Sequence, residues 1–452
     1  MLDLVIHKFA DWGDCEIFML REDLLPIACG GNKVRIALKL VEDARRRGAN
    51  TIIGYGNCRS NLCRVLAMIC ASEKLKCVIV SPSDDDGTRM ETTNSRIVGL
   101  SGADVIFCRK GEAVADVVQH AIDDVVAVGG SPYYIFGDRF GNGNERVLRS
   151  AYEEVAAQIF SWSVRKGVRF DRIALAVGTG ATYGGLLNGF RAQGSDIPVT
   201  GYTIARDVSR CRRGIRAFTE FESDVSDIAL NGGYGKASPA QLMFLRQVAD
   251  EKMLLLDSTY AGKALWGLYR QVSEKAISTE RILFLHTGSL PLAIDGLSAA
   301  VQVRPLRDVR SFPVGQYEML AAQMPDFTLR GDELTAYVGK MVDLGNVFTL
   351  SQEGRLLGLI GFYANDLKMR KAYLSMLVVD SSLQGTGAAN VLFARLREEA
   401  RERGMRNLNA NVVKDNARAI RYYAKQGLCV VGPGQDDNHV LVSGELDSSG
   451  LI

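Results

Sequence analysis

No run in this sequence is apolar for the length of about 20 residues that a membrane-spanning helix needs, so no helical span is expected. The opening MLDLVIHKFADWGDCEIF lacks the basic segment followed by an apolar one that marks a secretory signal. Net charge is nearly absent: 54 Lys and Arg stand against 52 Asp and Glu, leaving +2 at pH 7. That balance gives no electrostatic reason to expect nucleic acid or an anionic membrane as a partner. The nine cysteines are odd in number, and no two stand in CxxC or any other metal-like spacing, which argues against a disulfide framework and a zinc site. They read as free thiols, many of them small core residues, in a reducing compartment, and a cytoplasmic protein is expected. Internal repeats and low-complexity tracts are also missing. What remains is an ordinary globular composition, 47% hydrophobic and 23% charged. At 452 residues the chain is too long for one core, so two or three domains are expected.

The first two thirds alternate short apolar runs with amphipathic stretches. Runs at 51–54, 77–80, 104–107, 173–177, 199–204 and 282–286 predict strands, and stretches at 34–47, 61–73 and 146–160 predict helices between them. That alternation predicts an α/β fold with a mostly parallel sheet and helices on both faces. After Ala300 the pattern changes. Residues 301–313 carry arginines and two prolines and read either as a junction or, at VQVRPL, as the first strand of another domain. Strand-like runs follow at 347–351, 356–363 and 372–379, then a glycine-rich turn, a helix over 389–403, a strand over 407–413 and a helix over 417–426. A smaller mixed α/β domain is predicted, with the division at 1–300 and 301–452.

Three clusters in the first part carry chemistry. Cys29-Gly30-Gly31-Asn32-Lys33 opens a helix; its glycines allow close backbone approach, and the helix dipole disfavours the protonated lysine. A lysine of lowered pKa suits Schiff-base chemistry, although many solvated lysines also follow a Gly-Gly turn. Gly54-Tyr-Gly-Asn-Cys-Arg-Ser60-Asn61 follows the next strand. Its hydroxyl and amide are either plain helix caps or a cradle for an anionic substrate. Val177-Gly178-Thr179-Gly180-Ala181-Thr182-Tyr183-Gly184-Gly185 sits between a strand and a helix, the arrangement in which backbone N–H groups hold a phosphate.

Taken in order, REDLLPIACGGNKVR, GNCRSNLCR, VGTGATYGG, GGYGKASPAQ, DSTYAGKALWGL and LFLHTGSLP resemble the blocks of the D-cysteine desulfhydrase/1-aminocyclopropane-1-carboxylate (ACC) deaminase family. These are pyridoxal-phosphate (PLP) enzymes of fold type II, two-lobed and built on mostly parallel sheets. The resemblance runs from about Arg21 to Leu292. It implies that Lys33 holds the cofactor covalently and moves protons at the substrate's α- or β-carbon. It implies a catalytic, carboxylate-side hydroxyl at Ser60 and an amide at Asn61 for the cofactor's phenolic oxygen. Thr179, Gly180, Ala181 and Thr182 would hold the phosphate, and Tyr234 and Tyr260 would face cofactor and substrate. Thr287 would share a hydrogen bond with the pyridine nitrogen; a neutral hydroxyl there makes the cofactor a modest electron sink and favours expelling a β-leaving group. The resemblance also implies a small amino-acid substrate and a homodimer.

Two positions bear on the substrate. ACC deaminases carry Glu after the second tyrosine and Leu in the HLGG block, where this chain has Ala261 and Thr287, so ring opening of ACC is not expected. The desulfhydrase branch is departed from as well. Its usual G-G-[IV]-Q-S-N reads Gly56-Asn57-Cys58-Arg59-Ser60-Asn61, with Leu62 where His or Gln is usual. Either Arg59 serves a larger or more anionic amino acid, or it points away and pairs with the aspartates at 84–86.

In the last part, Leu383-Gln384-Gly385-Thr386-Gly387-Ala388-Ala389 leads a strand into a long helix, a turn suited to a pyrophosphate. Its Q-x-x-G-x-A spacing resembles the acetyl-CoA motif of the GNAT acetyltransferases. Asn416-Ala-Arg-Ala419-Ile-Arg-Tyr-Tyr423-Ala-Lys-Gln-Gly427 resembles that superfamily's second motif, N-x-x-A-x-x-x-Y-x-x-x-G. The resemblance covers roughly Val301 to Leu446. It implies acetyl-CoA as cosubstrate, bound by Gln384 to Ala389 and Asn416. Tyr423 would be the general acid that protonates the leaving thiolate, and backbone groups from Leu377 to Val379 would pair with the pantetheine arm. Asp366, Asp380, Tyr363 or a bound water are the candidates for a general base.

Desulfhydration alone gives pyruvate, ammonia and sulfide, none of which is an amino acid to acetylate. The fusion therefore predicts either elimination or β-replacement on a cysteine- or serine-like substrate with N-acetylation of an amino-acid-type amine, or O-acetylation that creates the β-leaving group. The remaining alternative is one half acting only as sensor or scaffold.

Overall fold

Packing divides the chain into two compact units in a computed structural model that describes residues 2–82, 91–296, 301–324 and 327–446. One unit is Met1–Gln241 with Val248–Leu297, the other Leu242–Gln247 with Ser298–Ile452. Everything said below of numbers of strands, or of something lacking, refers to the described residues.

The first unit holds two sheets. The larger runs, in spatial order, Ile6–Trp12, Cys15–Arg21, Arg281–His286, Arg172–Val177, Val199–Thr203 and Asp224–Ser226. All its neighbours are parallel except the first two, an antiparallel hairpin turned at Gly13. The smaller runs Asp104–Phe107, Lys76–Ser81, Thr51–Tyr55 and Pro132–Tyr134, all parallel. Central strands such as Arg172–Val177 and Arg281–His286 are buried along nearly their whole length, which is why they read in the sequence as unbroken apolar runs. One continuous core, from Leu40 and Ile53 to Tyr152, Leu175 and Leu285, lies against both sheets. The predicted strands and helices of this part are present with ends shifted by one or two residues, except that the last helix extends over Glu145–Lys166. The N-terminal hairpin and the short strands Pro132–Tyr134 and Asp224–Ser226 were not predicted.

The second unit is a seven-stranded mixed sheet in the order Gln302–Pro305, Asn346–Gln352, Arg355–Asp366, Lys371–Val379, Asn407–Val413, His439–Glu445 and Cys429–Pro433. Gln302–Pro305 pairs antiparallel with Asn346–Gln352, so VQVRPL is a strand of this sheet. The sheet's one parallel pair is Lys371–Val379 with Asn407–Val413, and its pairing stops at Leu374↔Ala410 although both strands continue. The strands splay from there. Helices Val314–Ala321 and Gly331–Leu344 pack on the sheet through Leu320, Leu334, Val338 and Met341, while Ala388–Glu402 and Ala417–Lys425 are the two predicted ones. No described helix is long and apolar enough to cross a membrane. No described group of three or more His, Cys, Asp and Glu has the arrangement of a metal site, and all nine cysteines are free thiols.

Candidate functional site

In open parallel sheets, ligands bind outside the carboxyl ends of the strands, and there the first three clusters meet. Lys33 is the first residue of the helix Lys33–Arg46. Part of its side chain still meets solvent, yet the surroundings of its amine are desolvated, and burial lowers its pKa from 10.5 to about 8. The turn before it has four successive residues of positive φ, Ala28 to Gly31. Gly31 has φ 105°, and a Cβ there would stand 3.0 Å from the Thr287 carbonyl oxygen, so only glycine lets this turn lie against the end of Arg281–His286.

Asn32 pins the turn from two sides. Its backbone N–H donates to the Thr287 carbonyl at 3.0 Å, and its Nδ2 donates to Thr182 Oγ1 at 2.9 Å. Thr182 belongs to the helix Ala181–Ala192, which starts after Gly180 (φ 106°) with no side chain capping it. Its first N–H groups are thus without a side-chain acceptor, the condition for binding an anion. Lys33, Asn61, Thr179, Gly180, Thr182 and Thr287 line one cleft, together with Tyr183 and Tyr260.

The hydroxyl cluster is more occupied than its sequence suggests. Ser60 caps the helix Asn61–Ser72, its Oγ accepting the Cys63 N–H at 3.2 Å, which leaves its own proton to donate. Asn61 donates from Nδ2 to Ser289 Oγ at 2.9 Å and accepts at Oδ1 from Asn94 (3.0 Å) and Arg64 (3.3 Å). That network fixes the amide's orientation toward the cleft. Tyr234 joins the site through its hydroxyl, 2.7 Å from that of Tyr260. Burial raises both phenols, while the hydrogen bond shared with Tyr260, the charge of Arg59 and a hydrogen bond to Asn57 oppose the rise at Tyr234. The two hydroxyls share one hydrogen bond in which either can donate, so the pair is able to hold or pass one proton.

Arg59 lies against this pair: a Cβ on Gly235 would stand 2.8 Å from its Nη1. The aspartates at 84–86, its alternative partners, lie outside the described residues. Sequence reasoning did not single out Asn32, Tyr183, Ser289 or Asp257 for roles, although all fall within or beside the quoted blocks. Asp257 is a buried carboxylate whose oxygens accept the N–H groups of Thr259, Tyr260 and Ala261 and so set the start of the helix bearing Tyr260.

The second unit gathers its own cluster. Gly387 (φ 86°) precedes the helix Ala388–Glu402, which again has no side-chain cap, and Gly385 has φ 78°. Thr386 Oγ1 turns back to the Leu383 carbonyl at 2.6 Å, and Gln384 Oε1 accepts from Arg418 at 2.6 Å. Ala388 and Ala389 form the first helical turn. Leu377 and Val379 pair with Ile360 and Gly358 on one edge; their other edge faces the splay and has no strand partner there. Asn416 caps the helix Ala417–Lys425, its Oδ1 accepting the Ala419 N–H at 3.0 Å. Burial raises the phenol pKa of Tyr423, keeping it a proton-bearing group. Its ring stands 6.4 Å from Phe393 and 5.5 Å from Tyr422, and the buried Tyr422 hydroxyl has no described partner. Asp380 is unsuited to act as base. Against the burial that would raise it, hydrogen bonds from Ser382 and the charge of Arg355 hold its carboxyl below the usual range. Asp366 is spent on a turn, accepting the Met369 N–H at 2.9 Å.

Comparison with known proteins finds a family for each of the two parts of the chain. Residues 6–288 match the family of pyridoxal-phosphate dependent enzymes, and residues 317–428 match the acetyltransferase (GNAT) family. The D-cysteine desulfhydrase of Serratia proteamaculans (strain 568) is 29% identical over 304 residues, covering 63% of this chain and 90% of that enzyme. That of Salmonella typhi is 29% identical over 306 residues with the same coverage. A crystal structure of an ACC deaminase homologue superposes with a TM-score of 0.55 at 24% identity, covering 64% of this chain and 90% of the other, which shows a shared fold. The cleft suits the cofactor these matches imply: a desolvated amine, an uncapped helix start, a hydrogen-bonded amide and a neutral hydroxyl line it together. The uncapped Gly387 turn and the splayed strands likewise suit acetyl-CoA. The chain thus belongs to the pyridoxal-phosphate dependent enzymes, is similar in that part to D-cysteine desulfhydrases, and also carries a GNAT acetyltransferase domain.

Proposed function

We propose that residues 1–300 catalyse α,β-elimination or β-replacement on a small cysteine- or serine-like amino acid, and that residues 301–452 transfer acetyl from acetyl-CoA to an amino-acid-type amine in a coupled sequence. The observation that carries the first half is the desolvated Lys33 amine sharing a cleft with the uncapped helix start at Ala181. When bound, pyridoxal phosphate supplies an electron sink at the substrate's α-carbon. The residues do the rest. Thr179, Gly180, Ala181 and Thr182 hold the phosphate, Asn61 orients the ring, and Thr287 meets the pyridine nitrogen without charging it. Lys33 moves the α-proton. Ser60 holds the substrate carboxylate, and the Tyr234–Tyr260 pair delivers a proton to the leaving group. Arg59, beside Tyr234, favours substrates whose β-substituent is anionic.

In the second half, the N–H groups after Gly385 and Gly387 take the pyrophosphate, and the free edge of Leu377 to Val379 takes the pantetheine arm. Tyr423 protonates the departing thiolate. Coupling is supported by chemistry alone: an acetyltransferase of this type needs an acceptor that keeps its amine or hydroxyl, which pyruvate does not offer. The desulfhydrase relatives favour one second reading, in which D-cysteine is degraded and the GNAT domain O-acetylates a hydroxyl or serves as a scaffold.

The test is incubation with D- and L-amino acids bearing neutral and anionic β-substituents, with and without acetyl-CoA, followed by mass spectrometry. An acetylated amino acid that forms only when both domains are intact is expected. Pyruvate and ammonia as sole products, unchanged by acetyl-CoA, would overturn the coupled reading in favour of the second.

A further inference from the structure

Lys263 lies in the first turn of the helix Ala261–Ser273, has no exposed surface, and has no role in the chemistry above. Its ammonium carries three protons, and three backbone carbonyls surround it: Gly233 at 2.7 Å, Leu230 at 2.9 Å and Ile204 at 3.5 Å. Two belong to the turn that ends in Tyr234, and the third follows the strand Val199–Thr203. A helix start is a poor place for a cation, and a buried one is costly unless fully paired. Burial accordingly draws the pKa of Lys263 down to about 8, with the nearby Asp257 carboxylate opposing. The Asp257 carboxylate is instead spent on the N–H groups of Thr259, Tyr260 and Ala261. One buried charge thus fixes the segment bearing Tyr260, and the other fixes the turn bearing Tyr234. Between them the two phenols are brought to 2.7 Å.

We propose that Lys263 is a positioning residue acting as a tethered monovalent cation: its ammonium fills a three-carbonyl cage that sets Tyr234 against Tyr260, and the emptied cage takes potassium or ammonium. A hydrophobic side chain of similar length would satisfy packing and leave three carbonyls unpaired, so what the lysine adds is the charge. The cage is an oxygen site of low formal charge, which suits a large monovalent ion better than a divalent one.

The role in turnover rests on the function proposed above; occupancy of the cage does not, and the two are read separately. In the full-length protein, Lys263→Ala is expected to lower the melting temperature. Potassium or ammonium chloride should restore it in a saturable way, whereas choline chloride of equal ionic strength should not, and the unsubstituted protein should show no such difference. Lys263→Met, which fills the space without charge, should not respond. In turnover of the best amino-acid substrate, Lys263→Met and Tyr234→Phe should each lower kcat by on the order of 10²-fold, and the double variant should be no worse than either. Absence of cation-specific recovery in Lys263→Ala, or equal recovery in Lys263→Met, overturns the cage. Should Lys263→Ala fail to fold, the kcat cycle decides, and fully additive losses overturn the positioning role. A protein with no turnover on any amino acid, yet with cation-restored melting of Lys263→Ala, would keep the cage and refute the function.

Discussion

At the level of single residues, the site is built from groups whose ordinary behaviour has been shifted by burial. Lys33 is the clearest case, with its pKa brought from 10.5 to about 8 by desolvation. Only the neutral amine attacks a carbonyl. The cofactor-free protein should therefore take up pyridoxal phosphate at a rate that rises with pH up to about 8 and then levels, as read by absorbance of the bound cofactor. A rate climbing on toward 10.5 would show an unshifted lysine. Borohydride reduction and peptide mapping should place the label on Lys33, and Lys33→Ala should carry none. The same shift has a thermodynamic sign. Between about pH 8 and 10.5 the unfolded chain keeps a proton that the folded, cofactor-free chain has lost, so this residue makes the fold gain stability as pH rises through that window. Such residues were partly legible. Lys33, Ser60 and Asn61 stand in contiguous blocks, but the hydrogen bond from Asn32 to Thr182 joins residues 150 positions apart, and nothing local announces it.

Among elements, those buried on both faces were the readable ones. Arg172–Val177 and Arg281–His286 appear as continuous apolar runs because solvent reaches neither side. Ile6–Trp12 is an edge strand with mixed exposure, and Cys429–Pro433 is mostly exposed, so neither carries a clean period for pattern reading to catch. Helix starts told a similar story: Ser60 and Asn416 proved to be caps as well as motif residues, whereas the starts at Ala181 and Ala388 have no side-chain cap. That contrast gives a test of the second. Acetyl-CoA should raise the melting temperature in a concentration-dependent way. Gly387→Val should abolish the shift, because φ 86° is closed to a β-branched residue and its Cβ would crowd the Gln247 side chain at the helix start that is to take the pyrophosphate. Tyr423→Phe should keep the shift and slow transfer, by about 10²-fold if the phenol is the proton donor; unchanged turnover would leave the tyrosine a packing residue.

For the whole molecule, the two halves differ in how far sequence carries. The order of six blocks identified the first family, and two spaced motifs the second; substrate choice depends on side chains that no pattern ranks. Ala261 is fully buried, its N–H held by Asp257 at 3.0 Å, at the position where ACC deaminases carry glutamate. The intact chain should therefore turn over ACC far more slowly than its best amino-acid substrate, by about 10²-fold or more in kcat/KM. α-Ketobutyrate formation at a comparable rate would show that Ala261 and Thr287 do not decide the reaction.

The parting of Lys371–Val379 from Asn407–Val413 beyond Leu374 has a consequence for solubility. Backbone groups on the facing edges of these strands lie too far apart to bond each other, so water or an incoming chain must satisfy them. On the function proposed above, an extended, amide-bearing cosubstrate arm entering that gap would act as a temporary strand. Emptied of it, the gap is an open β-edge, the kind of surface on which proteins pair with copies of themselves. Amide hydrogen exchange from Ser375 to Val379 should slow when the cosubstrate is present, and storage without it should be when the protein is most prone to aggregate.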